Sequence, residues 1–124
     1  MQNQRKKVVG VLSDLMFTVK IQEAAKRAGL DAVFVKTKED ALVQAKNQPV
    51  AVIIDLNSAA AEPLELIEQC KADSETSKVH LIAFVSHVQA DLKQAATDKG
   101  ADLVVARSVF SQNLPNILKR YAGG

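Results

Sequence analysis

Residues 49–71, PVAVIIDLNSAAAEPLELIEQCK, decide the fold of this 124-residue chain. The segment opens with the apolar run 50–54 and reaches Asp55 directly after it. A continuous run rich in Val and Ile predicts a strand that is covered on both faces of a parallel sheet. Three apolar residues then recur at the spacing of one helix face: Leu64, Ile67 and Cys70. Pro63 suits an early helical turn, so the segment is a strand, a connection and a helix.

The same alternation of apolar runs and helical stretches continues toward both ends of the chain. The other apolar runs cover residues 8–12, 32–35, 79–85 and 102–106. Helical spacing recurs between them, and the last helical stretch, 114–121, has Pro115 near its start. Strict alternation of strand and helix predicts a three-layer α/β domain with right-handed crossovers. Residues suited to cap helices precede these stretches: Ser13 or Asp14, Thr37, and Ser86.

Composition excludes several classes of function. Hydrophobic residues make up 48% of the chain, charged residues 24%, and the net charge is +2. This charge is too small to indicate binding to nucleic acid or to a membrane surface. The single Cys70 forms no intramolecular disulfide or CxxC metal pair, and no segment reaches the roughly 18 apolar residues of a membrane span. We expect one cytoplasmic domain over residues 1–124, ordered from about 6 to 122, without an output domain.

Polar and charged residues follow the predicted strands. In an open parallel sheet, ligands bind beyond the carboxyl ends of the strands. The rule selects these residues: Ser13 and Asp14 at the first strand, Asp55 and Asn57 at the third, Val85 and Ser86 at the fourth, and Arg107 at the fifth. The turn after the first strand lacks the glycines of a dinucleotide site, and GxxxxGK[ST] is absent. Nucleotide and flavin cofactors are therefore disfavoured.

A hydrolytic triad is a weaker interpretation of the same residues. Ser13 or Ser86 could serve as nucleophile with His87 and Asp55. The GxSxG elbow is absent, however, and a His adjacent to Ser86 points to the opposite side of an extended backbone. Helix-capping serines and a surface histidine explain these residues better.

Residues 49–71 resemble the central segment of the receiver domains of two-component response regulators, and GADLVV at 100–105 is similar to that family's turn into its fifth strand. The resemblance covers essentially the whole chain. It implies a CheY-like, flavodoxin-like (βα)5 fold with the strand order 2-1-3-4-5. It also implies that Asp55 stands at the position of the phosphoacceptor.

The chain departs from the family pattern at the Mg²⁺ site. In receivers, two acids after the first strand, the acceptor Asp and a backbone carbonyl two residues beyond it hold the ion. The acid pair aligns with Leu12 and Ser13, and Asp14 lies one position further on. Asp14, Asp55 and Asn57 remain as weak metal candidates. The resemblance therefore implies no required cofactor, with Mg²⁺ disfavoured.

The other two switch positions also differ from the family. Val85 stands where receivers have a Ser or Thr, with Ser86 beside it, and Arg107 replaces the Lys of the fifth strand. Arg always keeps its charge and pairs bidentately with carboxylates. These departures indicate a degenerate receiver, or pseudo-receiver, in which Arg107 pairs with Asp55 and holds the domain in one conformation.

The expected function is a stand-alone signalling module that acts through protein contact and is not an enzyme. By resemblance, its partner is a histidine kinase or a downstream signalling protein, and a homodimer is left open. The contact face is expected between the fourth and fifth helices, with Phe110 and Leu114 either as its anchors or as ordinary core. Two alternatives remain: a phosphorylatable regulator that uses Asp55, and a small-anion binder or hydrolase that uses the pocket around it.

Overall fold

The computed structural model describes residues 6–86 and 89–122, within which strands and helices alternate as predicted. The strands are β1 (Lys7–Val11), β2 (Asp31–Val35), β3 (Ala51–Asp55), β4 (His80–Val85) and β5 (Leu103–Ala106). The helices are α1 (Leu15–Arg27), α2 (Lys38–Ala45), α3 (Pro63–Ala72), α4 (Ala90–Lys99) and α5 (Arg107–Ala122), with a short 3₁₀ turn at Ala59–Ala61. None of the described helices is long and apolar enough to cross a bilayer.

The described strands form one parallel sheet with the order β2-β1-β3-β4-β5. The predicted doubly wound α/β fold and the strand order implied by the resemblance are therefore confirmed. In the sheet register, Val11 of β1 pairs with Ile54 of β3, and Asp55 pairs with Phe84 of β4. Because all the strands are parallel, their carboxyl ends meet at one edge, where the loops that follow them can build a site.

Helices cover both faces of the sheet. α1 and α5 contribute to the core on one face, and α2, α3 and α4 contribute to the core on the other. β3 is the central strand, and its residues 51–54 are fully buried. Ile53 faces α1 and α5, whereas Val52 and Ile54 face the opposite layer. A strand covered on both faces explains why the sequence has a continuous apolar run rather than an alternating one.

Three predicted helix starts are confirmed. The carboxylate of Asp14 accepts the amide of Phe17 at 3.1 Å and caps α1. The hydroxyl of Thr37 accepts the amide of Asp40 at 3.2 Å and caps α2. Pro63 begins α3, where its missing N–H would have no helical partner in any case.

The prediction that Ser86 caps α4 is wrong. The residue before α4 is Gln89, whose side chain makes no capping hydrogen bond. Ser86 lies earlier in the loop, and its hydroxyl donates to the side-chain carbonyl of Asn57 at 2.7 Å. Ser86 therefore bonds to a residue in the loop after β3 instead of capping the helix that follows it.

The GADLVV turn attaches α4 to the sheet. Gly100 ends α4 with a φ of 118°, a conformation that favours glycine. A Cβ at this position would lie 2.7 Å from Cγ of Lys71. The carboxylate of Asp102 accepts the amide of Leu81 at 2.7 Å and the ammonium of Lys71 at 3.2 Å. The turn therefore joins α3, α4 and β4 through backbone shape and through one shared carboxylate.

The last helix, α5, is longer than the sequence predicts. It begins at Arg107, directly after β5, so Pro115 lies inside the helix rather than near its start. Pro115 donates no backbone hydrogen bond, which weakens a helix. Phe110, Leu114 and Leu118 recur every four residues as one buried stripe. Burial of this stripe against the sheet offsets the cost of the proline.

Phe110 and Leu114 belong to the core. Their side chains are 0% and 1% exposed, so neither can anchor a contact surface for a partner. Of the two roles that the sequence leaves open for these residues, their burial favours ordinary core. The amphipathic pattern of this segment arises from packing on the sheet.

Replacing Phe110 by Ala is expected to lower the free energy of unfolding by about 3–5 kcal/mol, because loss of a buried ring leaves a cavity. Val109→Ala is the matched control, since Val109 is 44% exposed. Its free energy of unfolding should change by less than about 0.5 kcal/mol. Urea denaturation followed by circular dichroism measures both values. Equal losses in the two variants would contradict the place of Phe110 in the core.

Candidate functional site

The candidate site is a crevice at the carboxyl edge of the sheet. Asp55 is the last residue of β3, and Arg107 is the first residue of α5. Asp14 immediately precedes α1, Ser86 follows β4, and the exposed Ser13 lies in the loop after β1. The fold therefore brings the predicted strand-end residues to one edge, as the parallel topology requires.

Asp14 connects the two helices that flank the crevice. Its Oδ1 accepts the amide of Phe17 and caps α1, while its Oδ2 pairs with Nη2 of Arg107. The guanidinium carbon of Arg107 lies 4.6 Å from the centroid of the Phe17 ring, which adds a cation–π contact. The Arg107 and Asp14 side chains are 35% and 36% exposed, so water screens the pair and limits its contribution to about 1 kcal/mol or less. These contacts orient Arg107 more than they stabilise the fold.

The pKa of Asp14 lies below its ordinary value of 3.8. The largest cause is the hydrogen bond from the amide of Phe17, and the second is the hydrogen bond from Arg107; desolvation opposes both. Each of these hydrogen bonds favours the ionised carboxylate. At neutral pH, Asp14 is therefore an anion whose charge is already matched by a cation of the same chain.

The predicted ion pair between Arg107 and Asp55 is wrong. Arg107 pairs with Asp14, and no salt bridge to Asp55 occurs in the part of the chain that the structure describes. β4 separates β3 from β5 in the sheet, whereas α1 and α5 lie side by side, joined by a hydrogen bond of 2.9 Å from Lys20 to Ser111. Asp14 and Arg107 stand at the starts of two neighbouring helices, and the packing of these helices brings their side chains together. Asp55 ends a strand that is not adjacent to β5.

Asp55 is a partly buried carboxylate whose pKa is raised above its ordinary value of 3.8. Burial is the largest cause, and the negative charge of Asp14 adds to it. The hydrogen bond from the amide of Asn57, at 2.9 Å, and the positive charge of Arg107 act in the opposite direction. Burial of the charge outweighs both of these favourable interactions.

Asn57 joins the loops that follow β3 and β4. Its side-chain carbonyl accepts the amide of Ser86 at 2.8 Å and the hydroxyl of Ser86 at 2.7 Å. Its side-chain amide donates to Oε1 of Gln89 at 2.9 Å. From sequence, Asn57 was expected to offer only its backbone carbonyl, and this bridging role was missed. The available clue is that an Asn side chain both donates and accepts hydrogen bonds.

The residues at the end of β4 leave few donors for a ligand on Asp55. Val85 is buried in the core on the α2–α4 side and has no side-chain donor. The hydroxyl of Ser86 donates to Asn57, so the triad interpretation gains no support from its geometry. His87, the base of that triad, lies outside the described residues.

The donor set does not fit Mg²⁺. Leu12 is apolar and buried, Ser13 is a neutral hydroxyl, and the carboxylate of Asp14 is bound to Arg107. Mg²⁺ prefers carboxylates and other oxygen ligands in octahedral geometry, and Asp55 alone does not provide such a set. In residues 6–86 and 89–122, no three His, Cys, Asp or Glu side chains form a group that could hold a metal.

Two contributors to the site, Phe17 and Lys20, were missed from sequence. Phe17 provides the ring on which Arg107 lies, and this ring packs 4.9 Å from that of Phe84 between centroids. Lys20 lies one turn after Phe17 and joins α1 to α5. Helical spacing indicates a core position for Phe17, and the sequence carries no local signal for a role of Lys20. Their contacts with α5 depend on how the two helices pack.

Solved structures of other proteins share this architecture, although no family model and no curated protein matches the sequence. A response regulator from Hahella chejuensis is 18% identical with a TM-score of 0.84, over 94% of this chain and 94% of its own. The chemotaxis response regulator CheY4 of Vibrio cholerae is 17% identical with a TM-score of 0.81, over 95% and 99%.

The receiver domain of a sensor histidine kinase from Pseudomonas aeruginosa PAO1 is also similar. It is 18% identical with a TM-score of 0.81, over 98% of this chain and 100% of its own, and it was solved with a magnesium ion coordinated in its active site cleft. At these identities, the likeness establishes the fold. The chain therefore has the fold of receiver domains, the CheY-like form of the flavodoxin-like α/β architecture.

Replacing Asp14 by Ala is expected to lower the free energy of unfolding at pH 7 by about 1–2 kcal/mol, because the cap of α1 and the pair with Arg107 are both lost. The lowered pKa of Asp14 means that its contribution is fully present above the ordinary value of 3.8 and is lost as pH falls through the folded pKa. The difference from the parent protein should therefore shrink in acid. Urea denaturation at pH 7 and at about pH 3 measures it.

Asp55→Asn is the contrasting variant in this pH series. A raised pKa means that Asp55 favours folding when protonated and that this contribution is lost as pH rises through the folded pKa. The neutral Asn should therefore raise the free energy of unfolding at pH 7, in the direction opposite to Asp14→Ala. If Asp14→Ala cost as much at pH 3 as at pH 7, the ionised cap and pair would not account for its effect.

Proposed function

We propose that this chain is a degenerate receiver, a signalling module of a two-component system that acts by protein contact and catalyses no reaction. The ion pair between Asp14 and Arg107 is the observation that carries this proposal. It commits the acid nearest to the Mg²⁺ position of a receiver to a cation of the chain itself. The fold supports the assignment, because structures with it include response regulators and the receiver domain of a sensor histidine kinase.

The chemistry of the crevice favours protein contact over phosphate transfer. An aspartate that accepts a phosphoryl group needs positive charge and hydrogen-bond donors to offset the added oxygens. Around Asp55, Val85 offers no side-chain donor and the hydroxyl of Ser86 is bound to Asn57. Arg107 is bound to Asp14 and exerts only a longer-range attraction on Asp55. The hydroxyl of Ser86 and Nη2 of Arg107, which would respond to phosphate, are thus bound to Asn57 and Asp14.

A contact surface is available beside the crevice. Three apolar residues are exposed on one side of the first turns of α1, and we call them the apolar patch: Leu15 (76%), Met16 (82%) and Val19 (46%). Contiguous exposed apolar side chains next to polar groups are typical of protein contact sites. This patch takes the role that the sequence suggested for Phe110 and Leu114. The proposed partner is a histidine kinase or a downstream signalling protein.

Incubation with acetyl phosphate and Mg²⁺ is expected to leave the mass of the protein unchanged, because among the residues that the structure describes Asp55 has no second free carboxylate with which to share the ion. Intact-mass spectrometry detects the addition of one phosphoryl group, and a phosphorylatable response regulator is the positive control. Rapid Mg²⁺-dependent phosphorylation that disappears in Asp55→Asn would contradict the proposal. It would instead support a phosphorylatable regulator.

A double variant designed to gain phosphorylation provides a second test of the proposal. Ser13→Asp combined with Arg107→Lys adds a carboxylate at an exposed position and replaces the planar guanidinium that binds Asp14. This double variant should acquire phosphorylation that requires both Mg²⁺ and Asp55. Ser74→Asp with Arg107→Lys is the matched control, because it adds the same charge at an exposed position away from the crevice. Equal phosphorylation of both double variants would show that the second carboxylate is not the missing element.

A photoreactive benzoylphenylalanine at Met16 is expected to crosslink the protein to a partner in cells, because Met16 is the most exposed member of the apolar patch. Val43 is the control position, since it is 61% exposed on α2, away from the patch. Denaturing gel electrophoresis compares the adducts of the two positions. Equal adducts at both positions, or none at Met16, would contradict the role of the patch.

A further inference from the structure

A cavity of about 470 Å³ lies between α1 and α5, beside the crevice. Residues from both helices form most of its wall: Met16, Phe17, Lys20, Arg107, Ser108 and Ser111. Asp14 and Ser86 of the crevice also line the cavity, whereas Asp55 does not, so the cavity opens beside the phosphoacceptor position rather than on it. Its volume is suited to a small organic molecule.

Charge in this cavity is not balanced by the chain. Lys20 and Arg107 bring two positive charges, and Asp14, also in the wall, brings one negative charge. Asp14 pairs with Arg107, whereas Lys20 forms no salt bridge with any acid of the described residues. Nζ of Lys20 donates to Oγ of Ser111, a neutral acceptor, at 2.9 Å. One positive charge is therefore left for a ligand to compensate.

Hydrogen-bond donors and apolar surface accompany this charge. The hydroxyl of Ser108 makes no hydrogen bond to any residue that the structure describes. Arg107 uses Nη2 for Asp14, and within the described ranges its other N–H groups have no acceptor. Phe17 and the highly exposed Met16 contribute the apolar part of the wall. A ligand that matches this wall has an anionic head and a hydrocarbon body.

We propose that this cavity binds a small organic carboxylic acid in its ionised form. A single carboxylate balances the one uncompensated charge of Lys20, whereas a phosphate monoester dianion would exceed it. The carboxylate oxygens accept hydrogen bonds from Lys20, Arg107 and Ser108, which are charge-assisted at the two cations. The hydrocarbon part covers Phe17 and Met16 and removes apolar surface from water.

Benzoate is the probe, titrated into the full chain and followed by amide chemical shifts in NMR. We expect saturable shifts centred on Lys20 and Ser111, with a Kd on the order of 1 mM for a ligand of this size. Benzamide keeps the ring without the charge, and acetate keeps the charge without the ring. Each should bind about tenfold more weakly than benzoate.

Lys20→Gln removes the uncompensated charge at an exposed position and should weaken benzoate about tenfold. Lys26→Gln is the control, because Lys26 is exposed on the same helix but does not line the cavity. Unchanged affinity in Lys20→Gln, benzamide binding as tight as benzoate, or no shifts at Lys20 and Ser111 would overturn the proposal. None of these outcomes involves phosphorylation of Asp55, so they leave the proposed function separately testable.

Discussion

The arrangement of side chains in the crevice depends on the Asp14 carboxylate, because each of its two oxygens binds a different helix. One oxygen accepts the amide of Phe17 and begins α1, and the other binds Arg107 at the start of α5. The residue that starts one helix therefore positions the first residue of another that lies 93 positions away in the chain. The guanidinium of Arg107 also lies over the ring of Phe17. The first turn of α1 therefore holds the Arg107 side chain through two contacts, an ion pair and a cation–π contact.

Asn57 has a comparable role on the other side of Asp55. Its side chain holds Ser86 and Gln89, while its backbone amide donates to Asp55. The side chains of Asn57 and Ser86 thus bind groups of the two loops themselves rather than a ligand. The same fold in the Pseudomonas aeruginosa receiver domain was solved with a magnesium ion coordinated in its active site cleft. In this chain, the hydrogen bonds and the ion pair of the crevice favour a fixed surface at this edge of the sheet, and the apolar patch lies beside it.

Most of the fold was predictable because buried parallel strands require uninterrupted apolar runs. The five runs became the five strands of the described sheet, and the caps at Asp14 and Thr37 depend on neighbours three residues away. Predictions failed where a distant partner competes with a local preference. Ser86 bonds to Asn57 instead of capping α4, and α5 continues through Pro115 because its buried stripe packs on the sheet.

By itself, the sequence determined the order of the elements, the edge at which Asp55 and Arg107 stand, and the absence of acids at Leu12 and Ser13. These features follow from residue type and chain order alone. Only the tertiary structure decided which carboxylate Arg107 would bind, and that choice fell on Asp14 rather than Asp55. The physical reason is that an ion pair depends on distance, direction and solvation. These are set by the packing of α1 beside α5 and by the partial burial of Asp55.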